Sequence, residues 1–333
     1  MSAVDTLRSA LAQAVMDALP THHANPDLDR FYALLRDYPA RGGKALRGLF
    51  TLLSAEAHGG RWQDALDVAA ALELFQSWVL VHDDIEDDSD ERRGAPALHK
   101  TVGMPIALNV GDALHVYMWS LLHGIEVERK GEVWAEFVTM IHRTAEGQHL
   151  DLSWVQQNRF DITEADYLEM VRLKSAFYTV VSPLKLGAIC AGRTPDAGLE
   201  PLGTALGVAF QIRDDVLNLT PGHDGYGKEF AGDLYEAKRT LILAHLFACA
   251  RADEAEEVTA RLGKPRIERT AEDVTRVLEL VAQYRSLAYA QSVAEQKAKT
   301  GLTLLADVTP QLANQAAADK LSRLLETLSS RPA

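Results

Sequence analysis

The chain has 333 residues, a net charge of −13 and 47% hydrophobic side chains. That length allows one large domain or two, and no linker-like segment divides it. The acidic balance excludes the basic stripe of a nucleic-acid binder and general electrostatic adsorption to anionic lipid.

The N-terminal stretch mixes Asp5, Arg8 and Asp17 with apolar residues and lacks the core of a signal peptide. No uncharged apolar run reaches the roughly 18–20 residues of a membrane span, and Arg331-Pro332-Ala333 is not a prenylation signal. The expectation is a cytoplasmic protein with no transmembrane segment and no nucleic-acid partner. Two cysteines, Cys190 and Cys249, make no disulfide framework. Both fall in apolar helical patterns and are expected to be buried thiols.

Apolar periodicity is helical almost throughout, with no alternating strand pattern and no Gly-x-Gly-x-x-Gly fingerprint. Gly and Pro cluster at Pro39–Gly43, His58–Gly60, Gly94–Pro96, Gly192–Gly203, Pro221–Gly227 and Gly263–Pro265, which read as interhelical turns. The expected fold is all-α: one domain over residues 1–333, a large bundle of roughly ten or more helices around a central cavity.

The first chemistry-bearing segment is Arg41-Gly42-Gly43-Lys44-Ala45-Leu46-Arg47. Lys44 and Arg47 stand three apart at a predicted helix start, whose N-terminal donors suit a phosphate. A solvated basic turn is the plainer reading of this segment alone. Next, an apolar run from Ala69 to Val81 leads into His82-Asp83-Asp84-Ile85-Glu86-Asp87 and then Arg92-Arg93-Gly94. On a helix, Asp83, Asp84 and Asp87 share nearly one face. Carboxylates so placed need a cation, and Mg²⁺ suits oxygen ligands of this kind. His82 reads as packing or support, since hard Mg²⁺ prefers oxygen. Arg92 and Arg93, adjacent on a predicted helix, would diverge, and an Arg fork suits phosphate oxygens. Phe75, Trp78 and Val79 lie one to two helical turns before Asp83 and are ordinary core residues or the floor of an apolar tunnel. Further on come Gly111-Asp112, Gly147-Gln148-His149-Leu150-Asp151 and Lys174-Ser175. A second Asp pair, Gln211-Ile212-Arg213-Asp214-Asp215-Val216-Leu217-Asn218, again ends an apolar run. Two such helices packed face to face could hold a metal cluster. From about Leu243 onward the pattern is amphipathic helix without a nameable motif.

Asp-Asp-x-x-Asp followed by Arg-Arg-Gly resembles the first aspartate-rich motif of the trans-isoprenyl diphosphate synthases, or polyprenyl synthetases. Phe-Gln-Ile-Arg-Asp-Asp-x-x-Asn resembles their second. The likeness runs from about Gly42 to Leu241 and is closest to geranylgeranyl diphosphate synthases. It implies a homodimeric Mg²⁺-dependent prenyltransferase, with more than one ion per site, that joins isopentenyl diphosphate to an allylic diphosphate. The implied metal ligands are Asp83, Asp87 and Asp214, supported by Asp84 and Asp215. Lys174 and Gln211 complete the implied catalytic set. Lys44, Arg47, Gln76 and Arg93 would bind isopentenyl diphosphate; Arg92, Lys174, Ser175, Lys228 and Lys238 would bind the allylic partner. Ser175 stands where the family has Thr, Asn218 where many relatives have a third Asp, and Ala237 where Gly is usual. With Phe75, Trp78 and Val79 as tunnel floor, the expected product is C20, geranylgeranyl diphosphate, with C15 the alternative. A terpene cyclase would not need Lys44, Arg47 and Arg93, and a silent synthase subunit would not keep both Asp motifs.

Overall fold

The computed structural model describes residues 3–221 and 230–329. They form α-helices joined by short turns, and they divide into two compact units. The first comprises Met1–Met140, Tyr178–Glu200 and Leu305–Leu325; the second comprises Ile141–Phe177, Pro201–Leu304 and Glu326–Ala333.

Helices α1 (Ala3–Asp17), α2 (Pro26–Ala40), α3 (Leu46–Ala57), α4 (Leu66–Glu86), α5 (Leu98–Val102) and α6 (Met104–Gly124) belong to the first unit. Helix α4 is its centre, packed against α6, α3 and α1. Val68, the three alanines after it, Leu72, Leu74 and Phe75 are all buried, as expected of a helix that is apolar all round. By length and composition Trp62–Glu86 is able to cross a bilayer (25 residues, mean hydropathy 1.2), yet 61% of its most apolar stretch is buried inside the protein.

Contrary to the expected absence of strands, Glu91–Arg92 (β1) and Ala95–Pro96 (β2) form a short antiparallel hairpin. Arg93 (φ 55°) and Gly94 (φ 74°) are its two turn residues, the left-handed pair that a tight type I′ turn requires. The Arg-Arg-Gly segment is therefore a hairpin and not a helix, and the arginines diverge because one is in a strand and the other in the turn.

Then follow α7 (Lys130–Gln156), α8 (Glu164–Val171), a π-helical stretch (Arg172–Val181), α9 (Ser182–Cys190) and α10 (Leu199–Asn218). The expected turn over Gly192–Gly203 is thus helical from Leu199. After it come α11 (Gly232–Tyr235), α12 (Leu241–Cys249), α13 (Ala252–Leu262), α14 (Ala271–Gln283), α15 (Ser286–Val308) and α16 (Gln315–Ser329). The second unit's core gathers Tyr167 of α8, Ile212 and Val216 of α10, Leu241 to Leu243 of α12 and Val277, Leu280 and Val281 of α14. Neither cysteine is fully buried as expected. Cys190 is half-buried, and burial still pushes its thiol up to about 12. Cys249 is exposed, because α12 buries Leu241, Ile242, Leu243 and Leu246 and ends at Cys249.

Candidate active site

In the first unit the carboxylates stand on the last turn of α4. Asp87 caps that helix, its N–H donating to the Asp83 carbonyl at 2.9 Å. Asp84 is 0% exposed. Its Oδ1 accepts Arg92 Nε at 2.8 Å and also Nη2, and its Oδ2 accepts the Tyr38 hydroxyl at 2.5 Å. Arg92 Nη2 reaches Asp83 Oδ2 at 3.3 Å. Burial alone would lower the Arg92 pKa, but the Asp84 and Asp83 carboxylates outweigh it and hold the guanidinium charged. Burial, reinforced by Asp84, raises the Tyr38 hydroxyl. Arg92, expected on a substrate phosphate, is thus placed on the carboxylates of its own motif.

Beside this turn lies a cationic pocket. Gly42 (φ 73°), Gly43 (φ 150°) and Ala45 (φ 50°) bend the chain sharply before α3. A Cβ on Gly43 would lie 3.1 Å from Arg93 Nη2, so glycine gives that guanidinium passage. Arg93 Nη1 donates to the Tyr38 carbonyl at 3.1 Å. Arg47 sits in the first turn of α3, over the Tyr178 ring at 4.3 Å, and donates Nη2 to Thr179 Oγ1 at 2.9 Å. Lys44 precedes the helix and is exposed. The expected free donors at the α3 start are partly taken: Gly48 N–H donates to Glu73 Oε1 at 2.9 Å. Burial raises the Glu73 pKa, and the Gly48 amide, Arg47 and Arg93 oppose the rise. Glu73 is thus a carboxyl within the electrostatic reach of two arginines. One turn on, Gln76 is buried, and its Oε1 and the Arg47 Nε are buried without hydrogen-bond partners.

Phe75 and Trp78 meet edge to face with centroids 5.5 Å apart. Val79 is half-buried on the same helix. The structure adds His115 of α6, which the sequence did not single out. It stacks on Trp78 at 4.0 Å, 13° from parallel, and accepts Trp119 Nε1–H at 2.7 Å. Burial lowers the His115 pKa, which suits a neutral ring that accepts and stacks. His82 packs edge-on to Trp78 and lies 3.6 Å from Asp112, consistent with a packing role.

The second unit holds its own group of linked polar side chains. Lys174 Nζ is 2.6 Å from Asp151 Oδ2. Gly147, a helical turn before Asp151, touches the Lys174 backbone: a Cβ there would come within 2.2 Å of the Lys174 nitrogen. The Gly-Gln-x-x-Asp segment thus positions Lys174, within a π-helical stretch of the kind often found at functional sites. The Ser175 hydroxyl donates to Gln211 Oε1 at 2.9 Å, and Gln211 Nε2 donates to Asp215 Oδ1 at 2.9 Å. Tyr167 completes the set, donating to Asp215 Oδ2 at 2.6 Å. Ser175 keeps the family hydroxyl but spends it on Gln211. Burial, helped by Asp233 and Asp214 and opposed by the Tyr167 and Gln211 hydrogen bonds, pushes Asp215 up to about 7. Asp214 is half-buried.

Asn218 is 1% exposed, and its Oδ1 accepts the Asp233 N–H at 3.0 Å. An amide oxygen serves there without adding another carboxylate to the buried Asp215 and Asp233. Lys238 Nζ is 2.8 Å from Glu236 Oε2. Ala237 just before it has φ 53°, a left-handed conformation costing an alanine about 1 kcal/mol that glycine avoids. Lys228 lies outside the described residues.

Among the described residues no three His, Cys, Asp or Glu side chains form a complete protein-only metal site. The donor chemistry still fits Mg²⁺. Asp83 and Asp87 supply hard oxygens from one helical turn, and this ion commonly takes one or two carboxylates with water and phosphate oxygens.

The polyprenyl synthetase family model matches residues 29–281. The short chain isoprenyl diphosphate synthase of Methanothermobacter thermautotrophicus is 36% identical over 76% of this chain and 77% of its own. The geranylgeranyl diphosphate synthase of Sulfolobus acidocaldarius is 31% identical over 93% of each chain. The crystal structure of the geranylgeranyl pyrophosphate synthase from Corynebacterium glutamicum, complexed with isoprenyl diphosphate and magnesium, superposes with a TM-score of 0.87 at 28% identity, covering 99% of this chain and 98% of that one. The chain belongs to the polyprenyl synthetase family.

Proposed function

We propose that the chain condenses isopentenyl diphosphate head-to-tail with an allylic diphosphate, giving a trans product of 20 carbons, geranylgeranyl diphosphate. The observation that carries this is the cationic pocket of Arg47 and Arg93, with Gln76, on the same unit as the Asp83–Asp87 turn but built from different side chains. Condensation needs two diphosphates, one held through metal and one held directly by cations. A cyclase needs only the first.

In this proposal Asp83, Asp87 and Asp214 are metal ligands, and the chain takes more than one Mg²⁺. When bound, Mg²⁺ supplies positive charge that stabilises the departing diphosphate as the allylic C–O bond breaks. Lys174, Lys228 and Lys238 bind that leaving group, and Arg92 can give up its longer contact to Asp83 for a phosphate oxygen. Lys44, Arg47, Arg93 and Gln76 orient isopentenyl diphosphate so that its C3–C4 double bond meets the allylic carbon. Loss of one C2 proton then restores a double bond, and the released diphosphate is the base at hand. Phe75, Trp78 and Val79 line the apolar space for the chain and keep water from the cation. The burial of Trp62–Glu86 supports its reading as a core helix and not a membrane span.

The test supplies Mg²⁺, isopentenyl diphosphate and, separately, dimethylallyl, geranyl or farnesyl diphosphate, and reads the dephosphorylated alcohols by mass spectrometry. A C20 alcohol from all three is expected. Termination at C15, with farnesyl diphosphate unused, would make the Trp78–His115 stack the floor of a C15 enzyme; no condensation would overturn the proposal. In the same assay Trp78→Ala is expected to lengthen the product, and an unchanged length would remove Trp78 from the floor.

We also propose a homodimer, supported by the exposed apolar residues Met104, Ile106, Leu108 and Val116 along α6. Sedimentation equilibrium is expected to give twice the 36.5 kDa chain mass; a monomer at micromolar concentration would contradict it.

A further inference from the structure

The two Asp pairs share a device that no motif predicts. In each, the second aspartate is buried and both of its oxygens are occupied by donors from the protein. Tyr38, on α2, donates to Asp84 Oδ2 at 2.5 Å from 46 residues away; Tyr167, on α8, donates to Asp215 Oδ2 at 2.6 Å from 48 residues away. The remaining oxygen is taken by Arg92 Nε at 2.8 Å in the first unit and by Gln211 Nε2 at 2.9 Å in the second. Both tyrosines are 1% exposed. The Tyr38 oxygen also accepts the Leu98 N–H at 3.1 Å, tying in the start of α5.

A buried tyrosine needs a hydrogen-bond partner, and one such contact would be ordinary. Burying a carboxylate to provide the partner is costly, and an apolar pair would fill the same space at lower cost. The same arrangement is built in both units, each time on the residue directly after a first aspartate. Successive helical side chains are fixed at about 100° to each other, so pinning Asp84 and Asp215 by both oxygens fixes the turn that carries Asp83 and Asp214.

We propose that Tyr38 and Tyr167 are positioning residues, whose hydroxyls lock the second aspartate of each pair and thereby hold Asp83 and Asp214, each in its own unit, in place as metal ligands. This rests on the prenyltransferase reading. Tyr38→Phe and Tyr167→Phe keep the ring and remove only the hydroxyl, and each tests the idea in its own unit. The full chain is titrated with Mn²⁺ in the presence of inorganic diphosphate, free Mn²⁺ being read by electron paramagnetic resonance. Melting temperature, kcat and the KM for isopentenyl diphosphate are measured beside it. Each substitution is expected to weaken Mn²⁺ binding by about 10-fold to 100-fold, to lower kcat with partial recovery at high metal, and to leave that KM unchanged. A lowered melting temperature with wild-type Mn²⁺ affinity and kcat in either variant that folds would overturn the proposal. Wild-type protein that neither binds Mn²⁺ nor condenses substrate would instead overturn the underlying functional reading.

Discussion

Asp83→Ala is expected to lower kcat by about 10²–10³-fold, the range seen when one group stabilising developing transition-state charge is lost. Asp83 is 13% exposed at its side chain, and the Arg92–Asp84 pair does not depend on it. The helix end should therefore survive the substitution. Single-turnover measurements with farnesyl diphosphate read the chemical step without product release. The apparent Mg²⁺ requirement is expected to rise along with the loss in rate. A loss below tenfold, with unchanged Mg²⁺ dependence, would take Asp83 out of the metal set. Asp84→Ala should differ in kind: it strands the buried Arg92 charge, so its first effect is on stability.

Arg92→Met is expected to destabilise the protein by about 3–5 kcal/mol, the cost of removing one partner of a buried ion pair. Asp84 would keep the Tyr38 hydroxyl as a donor but lose the Arg92 guanidinium that balances its charge. Denaturant unfolding, with the slope checked against wild type, measures the loss. Adding Asp84→Asn to Arg92→Met removes the stranded charge and should recover much of it. A single variant as stable as wild type would mean that the hairpin arginine is not the counter-charge the geometry makes it. Because Arg92 pins the turn that carries Asp83, a higher apparent Mg²⁺ requirement should accompany the unfolding loss.

The residues that carry chemistry were legible in the sequence where chemistry is local. Asp83 and Asp87 were placed on one helical turn by their spacing, and the structure puts them at the end of α4. Ser175 and Gln211 were named separately, and the structure joins them by a hydrogen bond. What escaped was what only tertiary packing decides. Tyr38 and Tyr167 are 46 and 48 residues from their carboxylates, and nothing in their neighbourhoods marks them. Arg92 and Arg93 were read as helical because a ladder of two residues per strand is too short to show a period of two. Glu73 could have been found: a carboxylate inside an apolar helical run needs a partner, and here it has the Gly48 N–H with two arginines nearby. Pattern alone puts the Cys249 thiol in the core, but a nine-residue helix that packs on one side leaves its end exposed.

The most direct test of the central claim, that the Asp83–Asp87 turn holds metal for an allylic diphosphate, is anomalous diffraction from crystals grown with Mn²⁺ and farnesyl thiodiphosphate, an unreactive allylic analogue. The expected result is manganese at Asp83 and Asp87, with Asp84 still held by Tyr38 and Arg92. The analogue bound with no manganese at Asp83 or Asp87 would contradict it.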